Sequence, residues 1–178
     1  MATKKWVVDP THSEIQFKVK HLMITTVTGS FNIFNVDAQT EDEDFTKAKI
    51  SFTADVASIS TGNEQRDAHL KSDDFFNAEK FPQVKFVATK YENVDNDGSY
   101  ELYGDLTIRD ITKTVKLDVE FGGVVKDPYG NTKAGFTING KISRKDFELK
   151  WNAVTEAGGV VVSDEVRIAC EVQLIEQQ

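Results

Sequence analysis

Apolar and polar residues alternate through most of this chain. Between Ser13 and Phe34, Ile15, Phe17 and Val19 alternate with Glu14, Gln16, Lys18 and Lys20. After a break at Leu22 to Thr25, Val27, Phe31 and Ile33 take the apolar side, and Thr26, Thr28, Ser30 and Asn32 take the other. Successive side chains of a strand point to opposite faces, so this period of two predicts a pair of β-strands with one apolar and one wet face. Gly29 falls on the apolar side and leaves room there.

The same pattern returns in Ala48, Ile50, Phe52, Ala54 and Val56, then in Val84, Phe86 and Ala88, and in Leu102, Gly104, Leu106 and Ile108. It continues through Val115, Leu117, Val119 and Phe121, through Ala134, Phe136, Ile138, Gly140 and Ile142, and through Val166, Ile168, Cys170, Val172 and Leu174. Trp6 to Val8 reads as a short opening strand ended by Asp9-Pro10. Thr40 to Phe45 reads as an acidic loop. Turns are predicted at Asn96-Asp97-Gly98, Arg109-Asp110 and Asp127 to Asn131. A bulge is expected at Ser143 to Asp146, with Phe147 and Leu149 resuming on a shifted phase. Trp151 to Ser163, with Gly158-Gly159, reads as a lid or long hairpin loop. One stretch breaks the pattern: residues 63–71 contain good helix formers and no β-branched side chain, with Thr61 or Asn63 as N-cap, and predict one short helix.

About eight long strands at hairpin spacing, with no sharp division into two groups, predict an all-β chain closed as an eight-stranded antiparallel β-barrel. A β-sandwich has the same alternation and is the rival. In a barrel of eight strands the interior is either filled by side chains or holds one small ligand. Here it would receive Phe17, Phe31, Phe52, Phe86, Phe121 and Phe136. Strands of that length, tilted, enclose a space roughly 25 Å tall, which suits a long chain better than a compact ligand. A packed interior remains the alternative.

Composition narrows the partners. The chain has 178 residues, enough for one domain with a sizeable core, and a net charge of −8. That balance argues against a nucleic-acid or anionic-membrane surface, both of which need basic patches. No stretch approaches a membrane span, and the first ten residues lack the apolar core of a signal peptide, so a cytoplasmic protein without stable membrane insertion is expected. The single cysteine, Cys170, has the inward phase of its strand and reads as a small core residue.

Several segments occur together in a fixed order: Trp6-Val-Val-Asp-Pro-Thr-His-Ser13, Phe17-Lys-Val-Lys-His21, Gly29-Ser-Phe31, Arg66-Asp-Ala-His-Leu70 with Asp74-Phe-Phe76, Phe81-Pro-Gln-Val-Lys-Phe86, and Gly158-Gly followed by Ser163-Asp-Glu-Val-Arg-Ile168. In this the chain resembles the YceI family of polyisoprenoid-binding proteins from Trp6 to Leu174. The resemblance implies a single lipocalin-like barrel domain over residues 1–178 and a hydrophobic tunnel for an isoprenoid tail, such as that of a polyprenyl phosphate or quinone. It also implies a homodimer. The Gly-x-Trp signature of true lipocalins is not evident around Trp6.

The expected function is non-enzymatic binding, transport or storage of an isoprenoid or other long-chain lipid, with no cofactor or metal. The expected tunnel residues are Phe17, Val19, His21, Phe31, Phe52, Phe86, Leu106, Ile108, Phe121, Phe136, Ile138 and Trp151. His21, Arg66 and His69 are candidates for a polar rim that meets the head group. An enzyme acting on a lipophilic substrate through His21 or His69 is the second reading, and a packed structural barrel the third. Three further constellations have weaker chemistry. His12, His21 and His69 lack a recognised metal-ligand spacing. Asp9, His12 and Ser13 lie too close along one turn for a catalytic triad. Arg144-Lys145 reads as a solvated turn.

Overall fold

The computed structural model describes residues 2–149, 151 and 162–177. All of its strands belong to one antiparallel sheet: β1 (Thr3–Val8), β2 (Glu14–His21), β3 (Thr25–Phe31), β4 (Phe34–Glu41), β5 (Asp44–Asp55), β6 (Ile59–Ser60), β7 (Gln83–Glu92), β8 (Tyr100–Ile108), β9 (Ile111–Lys126), β10 (Thr132–Ser143) and β11 (Val162–Gln177). Eight of them close a ring in the order β1-β4-β5-β7-β8-β9-β10-β11, sealed by β11 pairing with β1. The predicted barrel is therefore present, and the sandwich is not.

The remaining short strands are continuations of ring strands. β11 is long enough to take β1 opposite its end, with Val8 facing Leu174, and β2 opposite its beginning, with Cys170 facing Ile15. Between β1 and β2 the chain makes a 3-10 turn over Pro10–His12, where proline has no N–H to give to the ladder and the Asp9 carboxylate accepts from Thr11 N at 3.2 Å. β3 and β4 are likewise one strand broken at Asn32-Ile33. Ser58 fills that break: its carbonyl accepts from Asn32 N at 3.2 Å and its hydroxyl from Ile33 N at 3.0 Å.

The break shifts the side-chain phase by one. Ile33, expected inside, is 61% exposed, and Phe34, Val36 and Ala38 follow on the inner side. The expected acidic loop is a two-residue turn at Asp42-Glu43, flanked by the ends of β4 and β5. Thr40 and Phe45 are buried on either side of it. The expected bulge after Ser143 is a 3-10 turn, Arg144–Phe147, and Phe147 and Leu149 are buried without forming a strand. The expected loop from Trp151 to Ser163 falls mostly outside the described residues.

The two ends of the barrel differ. At one end Trp6, Phe45, Phe121 and Phe136 build an aromatic floor. Phe45 lies 4.9 Å from both Trp6 and Phe136, and Phe121 lies 5.4 Å from Phe136, ring to ring. The Trp6 indole N–H donates to Thr40 Oγ1 at 2.9 Å, so no polar atom of the floor is left unpaired. The helix α1 (Glu64–Lys71) lies at the other end. Asn63 caps it, accepting from Arg66 N at 2.9 Å, while Thr61 donates to Asp67 at 2.6 Å. α1 has no buried residue; the chain beyond it supplies Phe75 and Phe76 to the interior. Arg109, in the β8–β9 turn, anchors that chain by donating to the carbonyls of Asp73 at 2.9 Å and Phe75 at 2.7 Å.

Glycines on the inner wall let rings lie flat against it. The Phe17 ring occupies the place of a Cβ on Gly29, and the Phe86 ring that of a Cβ on Gly104. A Cβ on Gly104 would also come within 2.6 Å of the Val87 carbonyl oxygen, which the ladder holds in place. Gly104→Ala is expected to lower unfolding free energy by about 1–3 kcal/mol. Gly135, with open space around its Cβ position, is the control: Gly135→Ala should stay within about 0.5 kcal/mol of the parent in urea unfolding.

Candidate functional site

Between the aromatic floor and α1 the barrel is not filled. A cavity of about 600 Å³ occupies its interior. Phe17, Val19, Phe31, Phe52, Phe86 and Leu106 line it, with Ile108, Phe136 and Ile138. Each lies on the inner face of its strand for the reason the alternation predicts. Phe121 was expected among them and does not border the cavity; it is spent on the floor, packed between Phe45 and Phe136. The alternation specifies a face and says nothing about height, so it could not separate Phe121 from Phe136.

Sequence reasoning missed part of the lining. Phe75 and Phe76 enter it from the chain after α1, and Tyr100 and Leu149 also border it. The adjacent phenylalanines are an available signal, since two large apolar residues after an otherwise polar helix must be buried somewhere. Cys170 lies in the wall, where burial pushes its thiol up to about 11 and leaves it a poor nucleophile at neutral pH. Burial likewise pushes the Tyr91 phenol up to about 12; its hydroxyl donates to the Ala48 carbonyl.

Polar groups gather at the α1 end. His21, Arg66, His69 and Trp151 all border the cavity there, together with Lys20, Thr61 and Asn63. The His69 ring has three neighbours: Nε2 lies 2.8 Å from the Asp74 carboxylate, and the ring stands nearly perpendicular to those of Phe75 and Trp151 at 5.0 and 4.7 Å. Arg66 donates from Nε to Thr61 Oγ1 and from Nη2 to the Thr61 carbonyl, both at 2.7 Å. No carboxylate among the described residues pairs with it. Its exposed guanidinium is thus positioned by neutral oxygens. His21 is exposed at the rim, at the end of β2.

Arg144 differs from its expected solvated turn. It is buried and donates to four carbonyls: Ser163 at 2.9 Å, Leu149 and Trp151 at 2.8 Å, and Val162 at 3.1 Å. Burial pulls the pKa of its guanidinium down, and the nearby Asp164 acts the other way. Its work is to tie the chain before Trp151 to the start of β11. Nothing in the local sequence separates it from its solvated neighbour Lys145.

The other constellations come apart. Asp9 does meet His12, Oδ2 to Nδ1 at 2.8 Å, and also Lys133 at 2.7 Å. The Ser13 hydroxyl is turned away from them, accepting from Gln173 N at 2.9 Å. The three histidines do not converge, and no group of three metal-ligating side chains is found among the described residues. No helix of those residues is long and apolar enough to cross a membrane.

The known proteins that this chain resembles share the barrel. The YceI-like domain matches residues 6–174. The chain belongs to the YceI family. A UPF0312 protein of Staphylococcus epidermidis (strain ATCC 35984) is 40% identical over 164 residues, covering 92% of each chain. The crystallised YceI protein of Campylobacter jejuni superimposes with a TM-score of 0.76 at 36% identity, covering 89% of this chain and 90% of that one. A polyisoprenoid-binding domain from Saccharophagus degradans, implicated in plant cell wall breakdown, shares the fold with a TM-score of 0.65 at 13% identity, covering 97% and 98%.

The hydrogen bonds of Arg144 give the site a structural test. Arg144→Met would strand four carbonyls in a buried place, and is expected to cost about 3 kcal/mol of stability in denaturant unfolding. Arg144→Lys, with a single nitrogen, should recover only part of that loss.

Proposed function

We propose that this protein is a non-enzymatic carrier or buffer of a long-chain lipid, an isoprenoid in the first place, with the chain in the barrel and the head group at the α1 end. The observation that supports this most is the cavity itself: about 600 Å³ inside an apolar wall, bounded by an aromatic floor. A space of that order is in the range that holds drug-sized and longer apolar ligands. Each five-carbon unit buried would contribute roughly 3–4 kcal/mol before ordering costs. Three or four would reach about micromolar affinity or better after those costs. The fold shared with the Saccharophagus polyisoprenoid-binding domain points the same way.

The rim supplies orientation. Arg66 offers an uncompensated charge, and His69 offers a ring nitrogen in a fixed plane. Both suit an oxygen-bearing head, a phosphate or a quinone carbonyl. The His69–Asp74 contact also supports a second reading, an enzyme whose imidazole is oriented by a carboxylate for acid–base work. In that reading His69→Ala would abolish turnover of a lipophilic substrate while leaving binding intact.

Denaturing extraction of freshly purified protein, followed by mass spectrometry, should release a lipid of roughly this size. Ile138→Trp, which places a large ring inside the cavity, is expected to weaken binding of a short prenol by about tenfold or more. Arg66→Gln should weaken a prenyl phosphate and leave the neutral prenol unchanged. A protein that yields no lipid and binds neither prenols nor quinones would contradict the proposal.

A further inference from the structure

The β2–β3 hairpin lies at the same end of the barrel as α1, because His21, the last residue of β2, faces Val162, which Arg144 ties to Trp151, and Trp151 packs on His69 of α1. Its tip is Leu22-Met23-Ile24, which are 39%, 57% and 76% exposed. Three residues join His21 to Thr25, which face each other across the ladder, and Ile24 N donates to the His21 carbonyl at 3.1 Å. Leu22 and Met23 both adopt positive φ, 52° and 60°. Such turns favour Asn-Gly, because side chains other than those of Gly, Asn and Asp are strained in this region. This tip has the two least suitable kinds of residue at once: apolar where water is the neighbour, and bulky where glycine is favoured.

Its charge also differs from that of the whole molecule. The chain has a net charge of −8. From Ile15 to Val36, however, there is no acidic residue, while Lys18, Lys20 and His21 lie just before the tip. Neither lysine is engaged in an ion pair among the described residues. On the neighbouring strand β11, Arg167 faces Lys18 across the ladder and Glu165 is shared by Lys141 and Arg167. The result is an apolar tip on a basic base, beside the mouth of an apolar cavity.

We infer that this hairpin docks the barrel mouth on an anionic phospholipid bilayer, with Leu22, Met23 and Ile24 entering the acyl boundary and Lys18 and Lys20 meeting the lipid phosphates. The inference rests on the proposed lipid-carrying function for its purpose, since a chain leaving a bilayer for the cavity then crosses little water. It needs no stable insertion. Three apolar side chains and two cations make a reversible contact of the kind that interfacial anchors use.

The test uses the full chain and vesicles of two compositions, phosphatidylcholine alone and phosphatidylcholine with phosphatidylglycerol, in a flotation assay. The key variant is Leu22→Asn with Met23→Gly and Ile24→Thr. It removes the apolar tip and supplies the pair the turn favours, so it should fold at least as well as the parent. The parent is expected to float with the anionic vesicles at low salt and not with the neutral ones, and the tip variant to lose about tenfold or more of that binding. Lys18→Gln with Lys20→Gln should weaken it and reduce its salt dependence. Transfer of a fluorescent prenol from anionic vesicles should slow in the tip variant, while the affinity for the same prenol presented in detergent stays unchanged. A protein that floats but binds no prenol would refute the carrier reading and leave the docking intact. Absence of flotation, or equal flotation of parent and tip variant, overturns the docking. So does self-association in analytical ultracentrifugation that the tip variant abolishes, because the tip would then cover a second copy of the chain.

Discussion

Ring closure is the constraint from which the rest follows. β11 pairs with β10 on one side and with both β1 and β2 on the other, so the sheet has no free edge along it. A closed ladder of eight strands has a circumference set by hydrogen-bond geometry and not by the side chains inside. The interior cannot collapse to suit its contents as a sandwich of two sheets can. Side chains either fill a cylinder of given width or leave part of it empty, and this chain does one at each end. Trp6, Phe45, Phe121 and Phe136 fill the floor, ring against ring. Above them the wall is lined by residues of similar apolarity that do not reach across. Gly29 and Gly104 contribute to this, since they let Phe17 and Phe86 lie along the wall instead of pointing into the space.

The α1 end closes by different means. It depends on single polar side chains, each holding a piece of chain without regular structure. Arg109 holds the segment after α1 by two carbonyls, Arg144 gathers four near the start of β11, and Thr61 supports Arg66. A cation donating to several carbonyls is a directional clamp that needs no packed core beneath it. This explains why the polar residues of the site are found here. The same end that these directional hydrogen bonds hold is the end where charged groups already lie beside the cavity.

Much of the architecture was legible because a strand has an integer period. Every inward phenylalanine named from alternation faces the interior or its floor, and the helix was visible as the one stretch that broke the rhythm. The departures have separate causes. Ile33 lies outside because the strand slips by one residue at Asn32-Ile33, and Ser58, which fills that slip, lies 25 residues further along. The acidic run from Thr40 to Phe45 reads as a loop by composition, yet most of it lies in β4 and β5. Phe121 was assigned to the cavity because alternation gives the face of a residue and not its height. Arg144 was invisible because its partners are main-chain carbonyls, which leave no mark in the sequence. The rim residues Arg66 and His69 could be named from their place on the one short helix, but the Asp74 and Thr61 contacts that orient them could not.

An empty interior of this size is not a small imperfection of packing. Space left beside apolar side chains forfeits dispersion contacts that a packed core would make. Two sheets free to approach one another would close such a gap. Here the ladder resists, because narrowing the barrel would break backbone hydrogen bonds around the ring, and each broken pair would face an apolar interior. The unfilled space is therefore a property of the closed sheet, maintained against the tendency of its own lining to collapse. Any apolar molecule of matching length that enters recovers contact energy that the chain alone cannot obtain, without having to deform the wall. On the proposed reading, shape and apolarity would decide what is held, and the charged rim which way round it lies.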